Sequence, residues 1–156
     1  TAFKTLELPA PTSWRGRWNS REKPSSDWRI DALMTTLAGR EKAFRRLAKS
    51  KFRSRFHLSA EDRQYIAEKG METIRRHCED FIRTRLALAT PPNDGRQTPM
   101  RGHPVFLAQH ACACCCRGCM EKWWKVPKGT PIPPARQARI VDFLMAWIEK
   151  ECGKGQ

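Results

Sequence analysis

Apolar residues recur along most of this chain at intervals of three and four, and no clear strand pattern or internal repeat accompanies them. The pattern predicts a mainly α fold, a small helical domain built of short helices. A first helix is expected from a cap at Asp27 to about Leu47, with Ile30, Leu33, Met34 and Leu37 on one face and Phe44 and Leu47 beyond Gly39, which is placed to split it. Ser59 with Asp62 three residues on resembles a capping box. It opens a helical run to about Leu88 that Gly70 is placed to interrupt, with Ile74, Cys78, Phe81, Ile82 and Leu86 as its buried stripe. Pro91 to Pro104 has turn residues and no periodicity, so a loop is expected. Pro104 then opens a helix from Val105 into a cysteine-rich stretch. Arg117 and Gly118 read as a turn, and Met120 to Trp124 as a further helical piece. After a Pro-rich connection over Lys125 to Pro133, a last helix runs from about Pro134 to Cys152. It buries Ile140, Val141, Leu144, Trp147 and Ile148 and stops at Gly153. Trp123, Trp124 and Trp147 are expected in the core.

Residues 1–26 hold Pro9, Pro11 and Pro24 and follow neither period, which predicts an extended basic, Trp-bearing arm ahead of a single helical domain over residues 27–156. At 156 residues there is no room for two full cores, so a large multidomain enzyme is excluded. No stretch reaches the roughly 18 apolar residues of a membrane span, and the N-terminal residues show no apolar core of a signal peptide, which predicts a cytoplasmic protein with no membrane partner. Charge changes the picture most. The formal net charge is +14, and residues 1–57 hold 14 Lys and Arg against 5 Asp and Glu. A polyanion is the expected partner.

The basic character peaks over 40–55. Arg40, Lys42, Arg45, Arg46, Lys49, Lys51, Arg53 and Arg55 face a single acid, Glu41, and helical spacing puts Lys42, Arg45, Arg46 and Lys49 on one side. Such a stripe neutralises phosphates by releasing counterions. Trp14 and Trp18, interleaved with Arg15 and Arg17, are placed to stack on bases beside phosphates, or to tether the arm to the domain or a partner. Arg96 and Arg101 extend the basic set. The alternative for the run is an ordinary solvated helix face.

Five of the seven cysteines (Cys112, Cys114, Cys115, Cys116 and Cys119) fall within eight residues, which is not how disulfide staples are distributed. Cys116-x-x-Cys119 offers two thiolates at the spacing that sets both on one metal ion, and Cys115, His110 and His103 are candidates to complete a zinc site. Inert buried thiols and redox or iron–sulfur chemistry are the alternatives. In the loop Asn93 to His103, Asp94 and His103 would serve as acid and base if the protein were an enzyme, with Arg96 or Arg101 on a phosphate. The competing reading is a turn network that positions His103. His57 and His77 read as structural or surface singletons.

From about Lys51 to Ile148 the chain resembles a family of short bacterial and phage proteins known only as a domain of unknown function. The resemblance is carried by FRSRFHL (52–58), KG (69–70), NDGRQTPMRGHPVF (93–106), AQH (108–110), CCRGCMEKW (115–123) and MAWI (145–148). It implies an intracellular helical domain with no established activity and no catalytic residues to transfer. The family pattern has threonine at the positions of Cys112 and Cys114 and histidine at Trp124.

The expectation is a metal-stabilised nucleic-acid-binding protein for DNA or RNA, with a phage or mobile-element accessory factor within a larger nucleoprotein complex as its expected setting. A nucleic-acid-processing or phosphate-handling enzyme and a module docking on an acidic protein are the alternatives.

Overall fold

The computed structural model describes residues 36–153. The arm with Trp14, Arg15, Arg17 and Trp18, and the expected cap at Asp27 with Ile30, Leu33 and Met34, lie outside the described residues. Among those described there are six α-helices and no strand: α1 (Leu37–Ala48), α2 (Ala60–Lys69), α3 (Met71–Phe81), α4 (Pro104–Ala111), α5 (Arg117–Trp124) and α6 (Pro134–Gly153).

Helix α1 starts at Thr36, whose hydroxyl accepts the Gly39 N–H at 3.0 Å. Gly39 is therefore part of the first turn of α1 and not a break in it. A short 3₁₀ turn, Arg53–Arg55, follows. At α2 the capping box forms in full: the Asp62 N–H reaches the Ser59 hydroxyl, and the Asp62 carboxylate takes the Ser59 N–H. Gly70, at φ +85°, ends α2 and begins α3, a conformation that an L side chain adopts only with strain. The regular α-helix ends at Phe81, before the expected Leu88. Ile82–Leu86 widens to a π turn, closed by the Ala87 N–H on the carbonyl of Ile82 five residues back, 2.8 Å away.

The other correction concerns α5. Cys116 is extended and its sulfur accepts the Cys119 N–H at 3.4 Å, so it acts as the N-cap. Arg117 and Gly118 thus form the first helical turn, and no separate turn precedes Met120.

Helix α6 packs on α3, α4 and the π turn. Ile140, Phe143, Leu144 and Ile148 on α6, and Ile74, Cys78, Ile82 and Leu86 opposite, have no exposed surface. Phe44 of α1 stacks on Phe143 with ring centres 5.0 Å apart, and Trp124 of α5 meets the same ring edge-on at 5.7 Å. Trp124 and Trp147 are buried as expected, whereas Trp123 is half-exposed. Arg117 is fully buried. Its guanidinium donates to the carbonyls of Leu88, Pro127 and Thr130 at 2.6–2.7 Å, joining the end of the π turn to the connection before α6. No helix of the described residues is long and apolar enough to cross a membrane.

Candidate metal centre and basic face

The α4–α5 connection brings Cys115, Cys116 and Cys119 together, with their sulfurs all within 4.8 Å of one another. Local chemistry explains the grouping. Cys116 caps α5, Cys119 supplies the capped N–H one turn on, and Cys115 precedes the cap. The Cys115 carbonyl is held by the Thr98 hydroxyl at 2.8 Å. Cys115 is buried, while Cys116 and Cys119 are partly exposed. Three soft sulfurs at this separation could hold a metal ion.

The charge on the three sulfurs is shared unequally. Hydrogen bonds from Cys115 and Cys116, with Arg53 adding to them against the effect of burial, hold the Cys119 thiol well below its ordinary range. Cys115 is pushed up by its bonds to Cys116 and Cys119 and by burial. Of the three, Cys119 is the sulfur whose contacts favour the thiolate form. Arg53 sits beside this group, with Nη1 at 3.9 Å from Cys115 Sγ and donating to the His110 carbonyl at 2.6 Å.

That placement corrects the reading of Arg53 as a phosphate contact. It is 7% exposed because its guanidinium is held inward by the carbonyl, the thiols and the Trp123 ring. His103 is also corrected. It lies outside the sulfur group as the N-cap of α4, where Nδ1 accepts the Val105 N–H at 3.0 Å and Nε2 meets His77 Nδ1 at 3.0 Å. His77 is thus its partner and no singleton. Tyr65, Phe81 and Phe106 complete a ring cage around His103, which burial and then His77 push down to about 4. His57 lies against Glu151 at 3.3 Å. His110 is likewise outside the sulfur group. Its Nε2 lies 3.2 and 3.1 Å from the carbonyls of Thr98 and Pro99, and burial lowers its pKa. Cys112 and Cys114 are fully buried apart from the group, and Cys114 donates to the Cys112 carbonyl.

The loop 93–103 is tied to this centre. Asp94 accepts the Arg117 N–H at 3.1 Å and a bond from Gln97. Asp94 accepts both bonds on Oδ1, and His103 has both ring nitrogens in contacts to Val105 and His77.

The other basic residues divide by helix face. Lys42, Arg45 and Lys49 are exposed on α1, opposite buried Ala43 and Leu47. Arg46 is on the same face, yet it reaches across to α5, donating to the Trp123 carbonyl at 2.9 Å and lying 5.0 Å over the Trp123 ring. Lys51 and Arg55 are exposed, with Arg55 against the half-open Phe52 ring, and Arg96 and Arg101 are exposed on the loop. Arg40 is half-buried at the start of α1. The inward roles of Arg53 and Arg117 were not legible in the sequence, since their acceptors are carbonyls distant along the chain.

A family described as a domain of unknown function (DUF4186) matches residues 41–149, beginning ten residues before the resemblance read from the motifs. No solved structure matches the chain.

Proposed function

The chain belongs to the DUF4186 family, and from that premise we propose that it is a small zinc-stabilised protein that binds nucleic acid through the exposed basic face of α1. The observation that carries the reading is the gathering of three thiols within 4.8 Å of one another, tied through Arg53 to the 3₁₀ turn that follows that helix. Cys115, Cys116 and Cys119 would hold the ion, which, when bound, would cross-link the connection between α4 and α5. The residues around it do the rest. Arg53 offsets negative charge on the sulfurs and links them to the 3₁₀ turn after α1. Arg46 lies over Trp123, one turn beyond Cys119, and so fixes α1 against α5. Lys42, Arg45 and Lys49 then project from a supported helix, with Lys51, Arg55, Arg96 and Arg101 as further exposed cations.

Backbone contacts of this kind predict affinity that falls with salt. Three or more neutralised phosphates give a log–log slope of about minus three, a loss of about 60-fold between 50 and 200 mM salt. Fluorescence anisotropy with labelled DNA and RNA oligonucleotides measures this directly. The triple variant Lys42→Glu, Arg45→Glu, Lys49→Glu should remain helical by circular dichroism and lose binding. If the folded wild-type protein binds neither DNA nor RNA, or if the triple variant binds as well as wild type, the reading is wrong and an acidic protein partner replaces it.

A further inference from the structure

We infer that His110 is the fourth ligand of the cysteine centre and closes it as a Cys₃His site, an inference that rests on reading Cys115, Cys116 and Cys119 as metal ligands. A structural zinc site takes four protein ligands, and the three sulfurs leave one position open. The other neighbours are already engaged. His103 has both ring nitrogens in contacts to Val105 and His77, and Cys112 and Cys114 lie in the core outside the sulfur group.

His110 differs from these in one atom. Its Nε2 faces two backbone carbonyls, so the ring proton belongs on Nε2 and the lone pair on Nδ1. That Nδ1 is buried and has no hydrogen-bond partner. An unsatisfied buried acceptor is destabilising, and a metal bond would remove that cost. A histidine that donates one ring N–H to a backbone carbonyl while offering the other nitrogen is the usual arrangement of a metal ligand, because the carbonyl fixes the tautomer.

Two ties join this ring to the sulfurs. Thr98 accepts from His110 through its carbonyl and donates through its hydroxyl to the Cys115 carbonyl at 2.8 Å. Arg53 donates to the His110 carbonyl at 2.6 Å and lies 3.9 Å from Cys115 Sγ. His110 and Cys115 are therefore fixed to the same two side chains. The imidazole itself lies outside the 4.8 Å group, so coordination requires an approach. With His110 held by the loop, that movement falls to Cys116 and Cys119, whose partly exposed sulfurs stand at the first turn of α5. Three thiolates with one Zn²⁺ leave a single negative charge, and the Arg53 guanidinium is already in place to balance it.

The test uses the full chain, stripped with a chelator under reducing conditions and reloaded with zinc alone. Zinc affinity is measured by competition with a chromophoric chelator for wild type, His110→Ala and Cys116→Ser. Long-range ¹H–¹⁵N spectra of the zinc-loaded wild type follow the imidazole nitrogens, so the outcome does not depend on the folding of a variant. The expected result is a metal-bound Nδ1 with a retained Nε2–H, and zinc binding weakened at least tenfold by His110→Ala. Tight zinc binding that Cys116→Ser abolishes, with a free Nδ1 and no effect of His110→Ala, overturns the inference and leaves a three-cysteine site open to solvent. Failure of the wild type to take up zinc overturns the metal reading itself.

Discussion

Acidification from neutral pH towards 4 should destabilise the domain through His103. The imidazole is 9% exposed at the start of α4, and burial, reinforced by His77, pushes it from 6.5 down to about 4. Between those limits the unfolded chain takes up a proton that the folded chain refuses. The contribution is therefore intact above pH 6.5 and falls as pH drops towards 4, below which both states carry the proton. At about 1.4 kcal/mol per pH unit, the loss on reaching pH 4.5 is about 2–3 kcal/mol. The geometry explains the refusal. Nδ1 must stay unprotonated to cap Val105, and the Nε2 proton already points at His77. His110, lowered by burial, acts in the same direction, and proton competition at the thiols would too, so wild type alone does not isolate the effect. The variant His103→Asn does, since asparagine is a good N-cap that accepts the Val105 N–H and does not titrate. Urea unfolding of both proteins at pH 7 and pH 4.5 gives the comparison. Wild type should lose about 2 kcal/mol more than the variant on acidification. Equal losses would show that His103 is not held neutral by the fold, and the reasoning would fail.

Two further outcomes follow from buried polar contacts. Arg117→Met removes the guanidinium from three short carbonyl bonds and should cost about 3 kcal/mol, lowering Tm by about 10 °C in calorimetry for a domain of this size; a fall under 3 °C would mean that water replaces the side chain without loss. Trp124→Phe keeps most of the ring but leaves the Cys112 carbonyl without the indole N–H that reaches it at 2.9 Å, which should cost about 1–2 kcal/mol in urea unfolding; unchanged stability would assign the residue to packing alone.

Local signals carried the sequence reading where the causes are local. The Ser59–Asp62 box and the apolar stripes of α3 and α6 depend on neighbours within four residues, and each lies where its spacing placed it. The start of α5 was missed because cysteine is not among the usual N-capping residues, so Arg117–Gly118 looked like a turn. His103 did carry a signal for its actual role, since it directly precedes Pro104 at the first helical position. Within the candidate centre, the Cys116–Cys119 spacing and adjacent Cys115 were legible. Arg53 was not, because nothing in a run of eight basic residues marks which one turns inward to a carbonyl 57 positions away. The His77–His103 pair is invisible for the same reason, being made by packing across 26 residues.

The partners of Arg117 have a consequence for how sequences of this fold can drift. All of its guanidinium acceptors are main-chain carbonyls, those of Leu86, Leu88, Pro127 and Thr130. No side-chain replacement at those four positions removes an acceptor, so each can change with the demands of its own surroundings. As far as these hydrogen bonds are concerned, the arginine is the one side chain that cannot be exchanged. What the junction does not tolerate is a change in chain length within 86–88 or 127–130, because an inserted or deleted residue there would carry the carbonyls out of reach.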